Sequence, residues 1–153
     1  MKKYFDGLAL LTVCAWVGGM WVVGYLVTPV LFQSLPDKAL AGMVAGKLFT
    51  VAAYMGMVCA IYLLIYHFAL QRKLFVRQGM FWIIVVMVLF LLVGQYGIQP
   101  MLANLKTQAL PLYVMDSPFA EQFKFWHGVS SIIFLTQSLF GAVLLLKQLS
   151  TRT

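Results

Sequence analysis

The sequence predicts an all-α polytopic membrane protein, a bundle of four antiparallel transmembrane helices, from its composition and its hydropathy pattern. Of the 153 residues, 63% are apolar and only 10% are charged, whereas an ordinary soluble domain is about 25% charged. A water-soluble domain of this size has too much surface for its volume to bury so many apolar side chains. The lipid bilayer is therefore the expected solvent and the first expected partner of the chain.

Four long apolar stretches predict the four helices and make residues 1–153 a single transmembrane domain. Each stretch exceeds the ~20 residues that a helix needs to cross about 30 Å of hydrocarbon. Strands of a membrane barrel would be about ten residues long and would alternate in polarity, and the sequence shows no such alternation. The predicted helices cover approximately residues 8–32, 43–68, 80–103 and 123–146.

Basic residues predict the orientation of the bundle. Four crossings place both termini and the middle connection on one side, and that side holds seven of the eleven basic residues: Lys2, Lys3, Arg72, Lys73, Arg77, Lys147 and Arg152. Since cytoplasmic segments carry the excess of lysine and arginine, both termini are expected in the cytoplasm. The net charge of +7 then reports topology, and no nucleic-acid partner is expected because no water-exposed basic domain exists.

Small residues form a stripe on the second predicted helix. Within about 80° of arc lie Gly42, Gly46, Ala53, Gly56 and Ala60. Small residues let helix backbones approach closely, which is how helices associate in lipid. The stripe predicts tight packing inside the bundle or, alternatively, an interface with a second copy or another membrane subunit.

Polar residues form a second stripe, on the fourth predicted helix. Within about 120° of arc lie His127, Ser130, Ser131, Phe134, Gln137, Ser138 and Gly141. Polar groups are costly against lipid, so this stripe should face the bundle interior or a wet cavity. Hydrogen bonds between helices and a path for a solute or ion are the two interpretations.

Other polar residues fall in the same outer half of the predicted bundle. Together they suggest a polar pocket that opens outward, with these candidate residues: Lys47, Tyr54, Gln95, Gln99, His127, Ser131 and Gln137. The alternative for Lys47 is that its long side chain extends to the membrane interface, as lysines near helix ends commonly do.

Few chemistries other than binding fit the sequence, and no enzyme and no cofactor are predicted. The two histidines should lie about 30 Å apart in depth, too far to ligate one haem. The four acids fall at predicted helix ends or in loops, and Cys14 and Cys59 are expected as packing residues. Thioether sulfur and imidazole suit Cu(I), which leaves a minor metal hypothesis on Met43, Met101, Met115 and His127.

Several motifs give the chain a family resemblance over nearly its whole length. It resembles the transmembrane protein 205-like family, which includes bacterial membrane proteins of unknown function. The motifs are Ala15-Trp16-Val17-Gly18-Gly19-Met20-Trp21, Leu31-Phe32-Gln33-Ser34-Leu35-Pro36 running to Gly46-Lys47-Leu48-Phe49, Gln99-Pro100, and His127-Gly128-Val129-Ser130-Ser131. The chain departs from the family pattern at Phe134, where relatives carry asparagine, and at Gln99, where some carry an acid. The resemblance implies a four-helix protein of a bacterial inner membrane with Lys47, Gln99 and His127 as a distinctive region.

Two functional hypotheses follow from these patterns. In the first, the protein binds or transports a small solute or ion through the outward polar pocket. In the second, it is a structural or accessory membrane protein that acts through helix packing or oligomerisation. Four helices are few for a self-sufficient transporter, so transport would require an oligomer.

Overall fold

The fold is a helical bundle, seen in a computed structural model that describes residues 2–71 and 76–150. Four helices in these ranges are long and apolar enough to cross a membrane, which confirms the predicted fold class. We call them the first to fourth spans: Tyr4–Ser34, Lys38–Leu70, Gly79–Ala109 and Ala120–Ser150. The side on which the termini lie stays a prediction, and Arg72, Lys73 and Arg152 of the charge argument fall outside the described residues.

The spans are longer at both ends than their apolar stretches. At 1.5 Å per residue, their 31 to 33 residues extend about 46 to 50 Å, so their ends project beyond about 30 Å of hydrocarbon. The largest extension is in the third span, which continues to Ala109 rather than ending near Ala103. Large apolar side chains such as Val51 and Val58 are exposed along the spans, and they give the bundle a surface suited to lipid.

The first and third spans each contain one turn of π-helix. The first span runs as α1 (Lys2–Trp21), π1 (Val22–Val27) and α2 (Thr28–Ser34). The second span lies in α3 (Lys38–Gln71). The third runs as α4 (Gly79–Leu92), π2 (Val93–Ile98) and α5 (Gln99–Ala109), and the fourth is α6 (Ala120–Ser150).

A proline explains the position of each π turn. Pro29 and Pro100 lack a backbone N–H, and a proline ring clashes with the carbonyl four residues earlier in a regular α-helix. In both spans the preceding residue instead bonds five residues back, as in a π-helix: the Thr28 N–H donates to the carbonyl of Val23, and the Gln99 N–H to that of Gly94. The first and third spans therefore accommodate their prolines in the same way.

The connection between the first two spans is short and pinned at both ends. Asp37 Oδ1 accepts hydrogen bonds from the backbone N–H groups of Ala39 (2.9 Å) and Leu40 (3.1 Å), which makes Asp37 an N-cap. Lys38 Nζ donates back to the carbonyls of Phe32 (2.6 Å) and Leu35 (3.0 Å) at the end of the first span. A tight turn of this kind makes the two spans antiparallel neighbours.

The connection between the third and fourth spans caps the bundle. A short 3₁₀ turn, Val114–Asp116, places Val114 in an apolar cluster with Leu105 and Phe123. Ser117 Oγ donates to the Val114 carbonyl at 2.7 Å and fixes the turn. We call this end of the bundle, which carries both short connections and lies away from the termini, the distal end.

The spans form a closed ring in which each packs against two others: first against second, second against third, third against fourth, and fourth against first. The core of this ring lies nearer the termini than the distal end, since its fully buried side chains come from those halves of the spans: Trp16, Leu63, Ile84, Met87, Leu144, Val13 and Val17.

A close approach in the buried core joins Trp16 and Gly56. A Cβ added to Gly56 would lie 2.5 Å from Trp16 Nε1 and 3.1 Å from Leu91 Cδ1. Only a hydrogen fits at this position, so Gly56 is where the second span admits the indole of the first.

Substitution of Gly56 by alanine should therefore destabilise the bundle. Overpacking of a dense core costs about 1–3 kcal/mol, which outweighs the gain of about 1 kcal/mol from the better helix propensity of alanine. Unfolding in mixed detergent micelles measures the difference. Gly128→Ala is the matched control, because nothing lies within 4 Å of its added Cβ; an equal loss in both variants would contradict this account.

Candidate functional site

Lys106 lies at the centre of the polar region at the distal end. It belongs to α5, and its Nζ donates a 3.0 Å hydrogen bond to the carbonyl of Gly42 in the second span. The same Nζ lies 5.7 Å from the centroid of the Phe123 ring in the fourth span. The side chain is half-buried, so the ammonium sits between three helices rather than in open solvent.

Two glycines of the second span make room for this lysine. A Cβ on Gly42 would lie 3.8 Å from Lys106 Nζ and 3.7 Å from the tip of the Phe32 ring. A Cβ on Gly46 would lie 3.9 Å from Lys106 Nζ and 4.0 Å from Gln99 Oε1. The notch formed by Gly42 and Gly46 thus holds a side chain of the third span, not the backbone of another helix.

His127 lies on the fourth span, in the same region as Lys106 of the third span. Its ring stacks on Phe123 at 5.6 Å with an interplanar angle of 9°, and the same Phe123 ring lies 5.7 Å from Lys106 Nζ. The imidazole is exposed, and no hydrogen bond among the described residues engages it. We define the distal site as Lys106, Gln99 and His127 around the notch of Gly42 and Gly46.

The charge of Lys106 is not balanced inside the protein. Within the described ranges, the one ion pair joins Lys124 and Glu121 at 2.7 Å, and both side chains are exposed. Asp37 is occupied as the N-cap of the second span. The distal site therefore presents a cation whose hydrogen-bond partner in the protein is a neutral carbonyl.

The structure separates the predicted pocket residues into different environments. Gln99 and His127 lie in the distal site, and Gln95 is half-buried one turn below Gln99 on the third span. Lys47 is exposed on the outer surface of the second span, at a different face from Gly46. Ser131 is also exposed, and its hydroxyl donates to the backbone carbonyl of His127 at 2.9 Å. The lysine of the distal site is therefore Lys106 and not the predicted Lys47.

Tyr54, another predicted pocket residue, lies outside the ring of helices. It is 49% exposed, next to Tyr96 of π2, which is 61% exposed. Both residues lie near the middle of their spans. These tyrosines form a polar spot on the surface of the second and third spans.

Gln137 lies in the core, below the distal site. It is 5% exposed, and its Nε2 donates to the Met87 carbonyl at 3.4 Å. One residue further, Ser138 accepts a 3.1 Å hydrogen bond from the hydroxyl of Tyr25. The inner part of the predicted polar stripe is therefore occupied by hydrogen bonds between helices.

Phe134 separates these core contacts from the distal site. Its ring makes edge contacts with Tyr25 at 5.3 Å and with Phe49 at 5.7 Å. The tip of the ring fills the space where Gly24 has no side chain. An aromatic cluster from three spans therefore forms the floor of the distal site.

The remaining small residues of the second span face the bundle. Ala53 packs against the core cluster, and Gly56 and Ala60 are buried in it.

The candidate copper ligands lie on separate elements: Met43, Met101 and Met115 are each exposed, on α3, α5 and the 3₁₀ turn. Of the two cysteines, Cys59 is buried as expected for a packing residue, whereas Cys14 is exposed on the first span.

A second polar cluster, near the termini, was not anticipated from the sequence. His67 Nε2 and Gln148 Oε1 are 3.1 Å apart, and both residues are buried. The Tyr66 hydroxyl donates to the carboxylate of Asp6, which is half-buried within α1 rather than free at a helix end. The signal in the sequence is that all four residues occur at nearly equal depth in their spans.

Comparison with known proteins gives one match. Residues 11–111 match the model of a family described as a domain of unknown function, DUF4149. The matched range covers most of the first span, the second and the third, and so includes Lys106, Gln99 and both notch glycines, while His127 lies beyond it. Neither the curated proteins nor the solved structures gave a match. The resemblance to the transmembrane protein 205-like family stays a prediction.

The size of the notch can be tested at Gly46. Alanine should be tolerated, because its Cβ would stand 3.9–4.0 Å from its nearest neighbours, an ordinary contact distance. Leucine adds three further carbons that must displace Lys106, and we expect a loss of about 1–3 kcal/mol in detergent unfolding. Gly97→Leu is the control, because its added Cβ meets nothing within 4 Å. Equal stability of the two leucine variants would show that Lys106 does not fill the notch.

Proposed function

The chain belongs to the DUF4149 family, a membership that assigns no activity, and we propose from the distal site that it is a non-catalytic membrane protein that binds a small solute. The observation that carries this proposal is a convergence of polar side chains on the notch in the second span. Lys106 and Gln99 reach it from the third span, and His127 from the fourth. Among the described residues, the bond from Lys106 to Gly42 is the one hydrogen bond that engages any of these three side chains. Lys106 and Gln99 are half-buried, and a polar group removed from water without a partner is costly, a cost that a bound solute would offset.

The geometry favours binding from one side over an open channel. Below the site lies the aromatic floor around Phe134, and below that the core contains fully buried side chains such as Trp16, Val17 and Met87. A solute that reaches the distal site would meet a closed apolar layer. Transport would therefore require a rearrangement of the helices or an oligomer.

The excess of basic residues on the side of the termini supports an outward-facing distal site. Under the positive-inside rule, the termini lie in the cytoplasm and the distal end faces the opposite compartment. In a bacterial inner membrane, the site would then be open to solutes outside the cytoplasm.

An accessory role through assembly is the second candidate, and the exposed tyrosine pair favours it. Tyr54 and Tyr96 are 49% and 61% exposed near the middle of their spans, and each hydroxyl group has one O–H donor. These hydroxyl groups would face lipid near the middle of the membrane unless a second copy or another subunit covers them. This role is compatible with solute binding, because the tyrosine pair lies on the outer surface.

Accessibility of single cysteines tests the solute-binding proposal. In a background of Cys14→Ser and Cys59→Ala, we expect Gln99→Cys and His127→Cys to react with a charged, membrane-impermeant methanethiosulfonate added to spheroplasts. Gln137→Cys, under the aromatic floor, and Val58→Cys, on the apolar surface, should not react. Labelling is measured as the loss of a subsequent maleimide–polymer mass shift.

The outcomes of this experiment separate the site from its orientation. If positions 99 and 127 react no faster than position 137, the distal site is dry and the proposal is wrong. If they react only when the reagent reaches the cytoplasmic face, the site is wet but the predicted orientation is wrong.

A further inference from the structure

We propose that the solute bound at the distal site is an anion, a carboxylate or a phosphate group, and that Lys106 is the residue that binds it. This inference rests on the proposed function, which names a solute site but not the charge of the solute. Three observations lead to it: the contacts of Lys106, the position of every acid in the chain, and the hydrogen-bonding groups beside the lysine.

The contacts of Lys106 leave most of its binding capacity unused. An ammonium group has three N–H donors and no acceptor, and one donor is used by the Gly42 carbonyl at 3.0 Å. The Phe123 ring, 5.7 Å from Nζ, adds a weak attraction through its π-face. Neither contact neutralises the charge of a half-buried cation.

No acid of the chain balances this charge. The chain has four acidic residues, all within the described ranges. Asp37 caps the second span, Glu121 pairs with Lys124, and Asp6 accepts from Tyr66 at the opposite end of the bundle. Asp116 is exposed in the 3₁₀ turn and forms no ion pair with a described residue. None of the four forms an ion pair with Lys106, so an anion that pairs with it would come from outside the chain.

The neighbours of Lys106 suit an anion that also accepts hydrogen bonds. The amide of Gln99 offers N–H donors, and the imidazole of His127 offers at least one. Both side chains are free of other hydrogen bonds among the described residues. Lysine acts as a compact point charge, which fits a single oxygen of a carboxylate or phosphate better than a planar two-point contact.

The depth of the site allows two sources for the anion. Lys106 lies twelve residues beyond Gly94, the midpoint of the third span, or about 18 Å along the helix. Half of the hydrocarbon thickness is about 15 Å, so the ammonium lies at the level of the lipid headgroups. A free anion from solution and the phosphate of an anionic phospholipid share the chemistry that Lys106 recognises.

The experiment compares two lysines of the distal half in the full-length protein. Lys106→Met removes the proposed ligand-binding charge, whereas Lys47→Met removes an exposed lysine that lies outside the site. Lys106→Arg keeps the charge and guards against a loss that results from misfolding. Each protein is placed in nanodiscs of zwitterionic lipid and titrated with inorganic phosphate, with acetate and with acetamide, the neutral analogue of acetate. A parallel set of nanodiscs contains phosphatidylglycerol, and lipid retention is read by native mass spectrometry.

We expect at least tenfold weaker anion binding in Lys106→Met, a change within twofold in Lys47→Met, and partial retention in Lys106→Arg. Lys106-dependent binding of phosphate or acetate assigns a free anion, and Lys106-dependent retention of phosphatidylglycerol alone assigns a headgroup. If acetamide binds as well as acetate, or if Lys106→Met binds anions like the wild type, the anion proposal is wrong while the solute site stands. If no probe binds in a Lys106-dependent way, the anion proposal is also wrong, and the cysteine labelling then decides separately whether the solute site exists.

Discussion

The indole of Trp16 lies against the backbone of Gly56, and the arrangement of the other helices depends on this contact. In lipid there is no hydrophobic drive between helices, so close packing must supply the attraction. The first span obtains it on both sides: Trp16 enters the space at Gly56 in the second span, and Val17 lies 3.2 Å from where a Cβ of Gly141 would be in the fourth. Leu91 reaches the same place from the third span, so one buried layer joins all four helices.

The two ends of the bundle differ because this layer divides them. Toward the termini, His67 meets Gln148, and Tyr66 meets Asp6, so polar groups from the first, second and fourth spans bond to one another. At the distal end the polar groups converge without satisfying one another, and Lys106 has a carbonyl as its partner. Internal hydrogen bonding satisfies the polar groups at the first end, whereas at the second end our proposal assigns that role to a molecule from outside.

The helices could be predicted from the sequence because hydropathy measures the solvent that each segment requires. Hydropathy could not predict where α5 ends, since Asn104, Lys106 and Thr107 are polar although they continue the helix. Because the predicted third helix ends near residue 103, Lys106 falls outside it, and the sequence argument selects Lys47 of the second predicted helix as the pocket lysine. Helical periodicity has a further limit in the third span. A π turn shifts every later residue by about 100° relative to a continuous α-helix, so the helix faces beyond Val93 do not follow from those before it.

Chain length within π2 is therefore as important to the distal site as the identity of its residues. A chain lacking both Pro100 and one residue of Val93–Ile98 would regain regular α-helical spacing, and Lys106 would turn away from the notch of Gly42 and Gly46. All the polar side chains would be present, yet they would no longer converge. When other chains of this family are aligned with this one, the number of residues between Gly94 and Lys106 is more informative than the identity of the polar residues. A deletion between them would indicate a different site even where every polar side chain is matched.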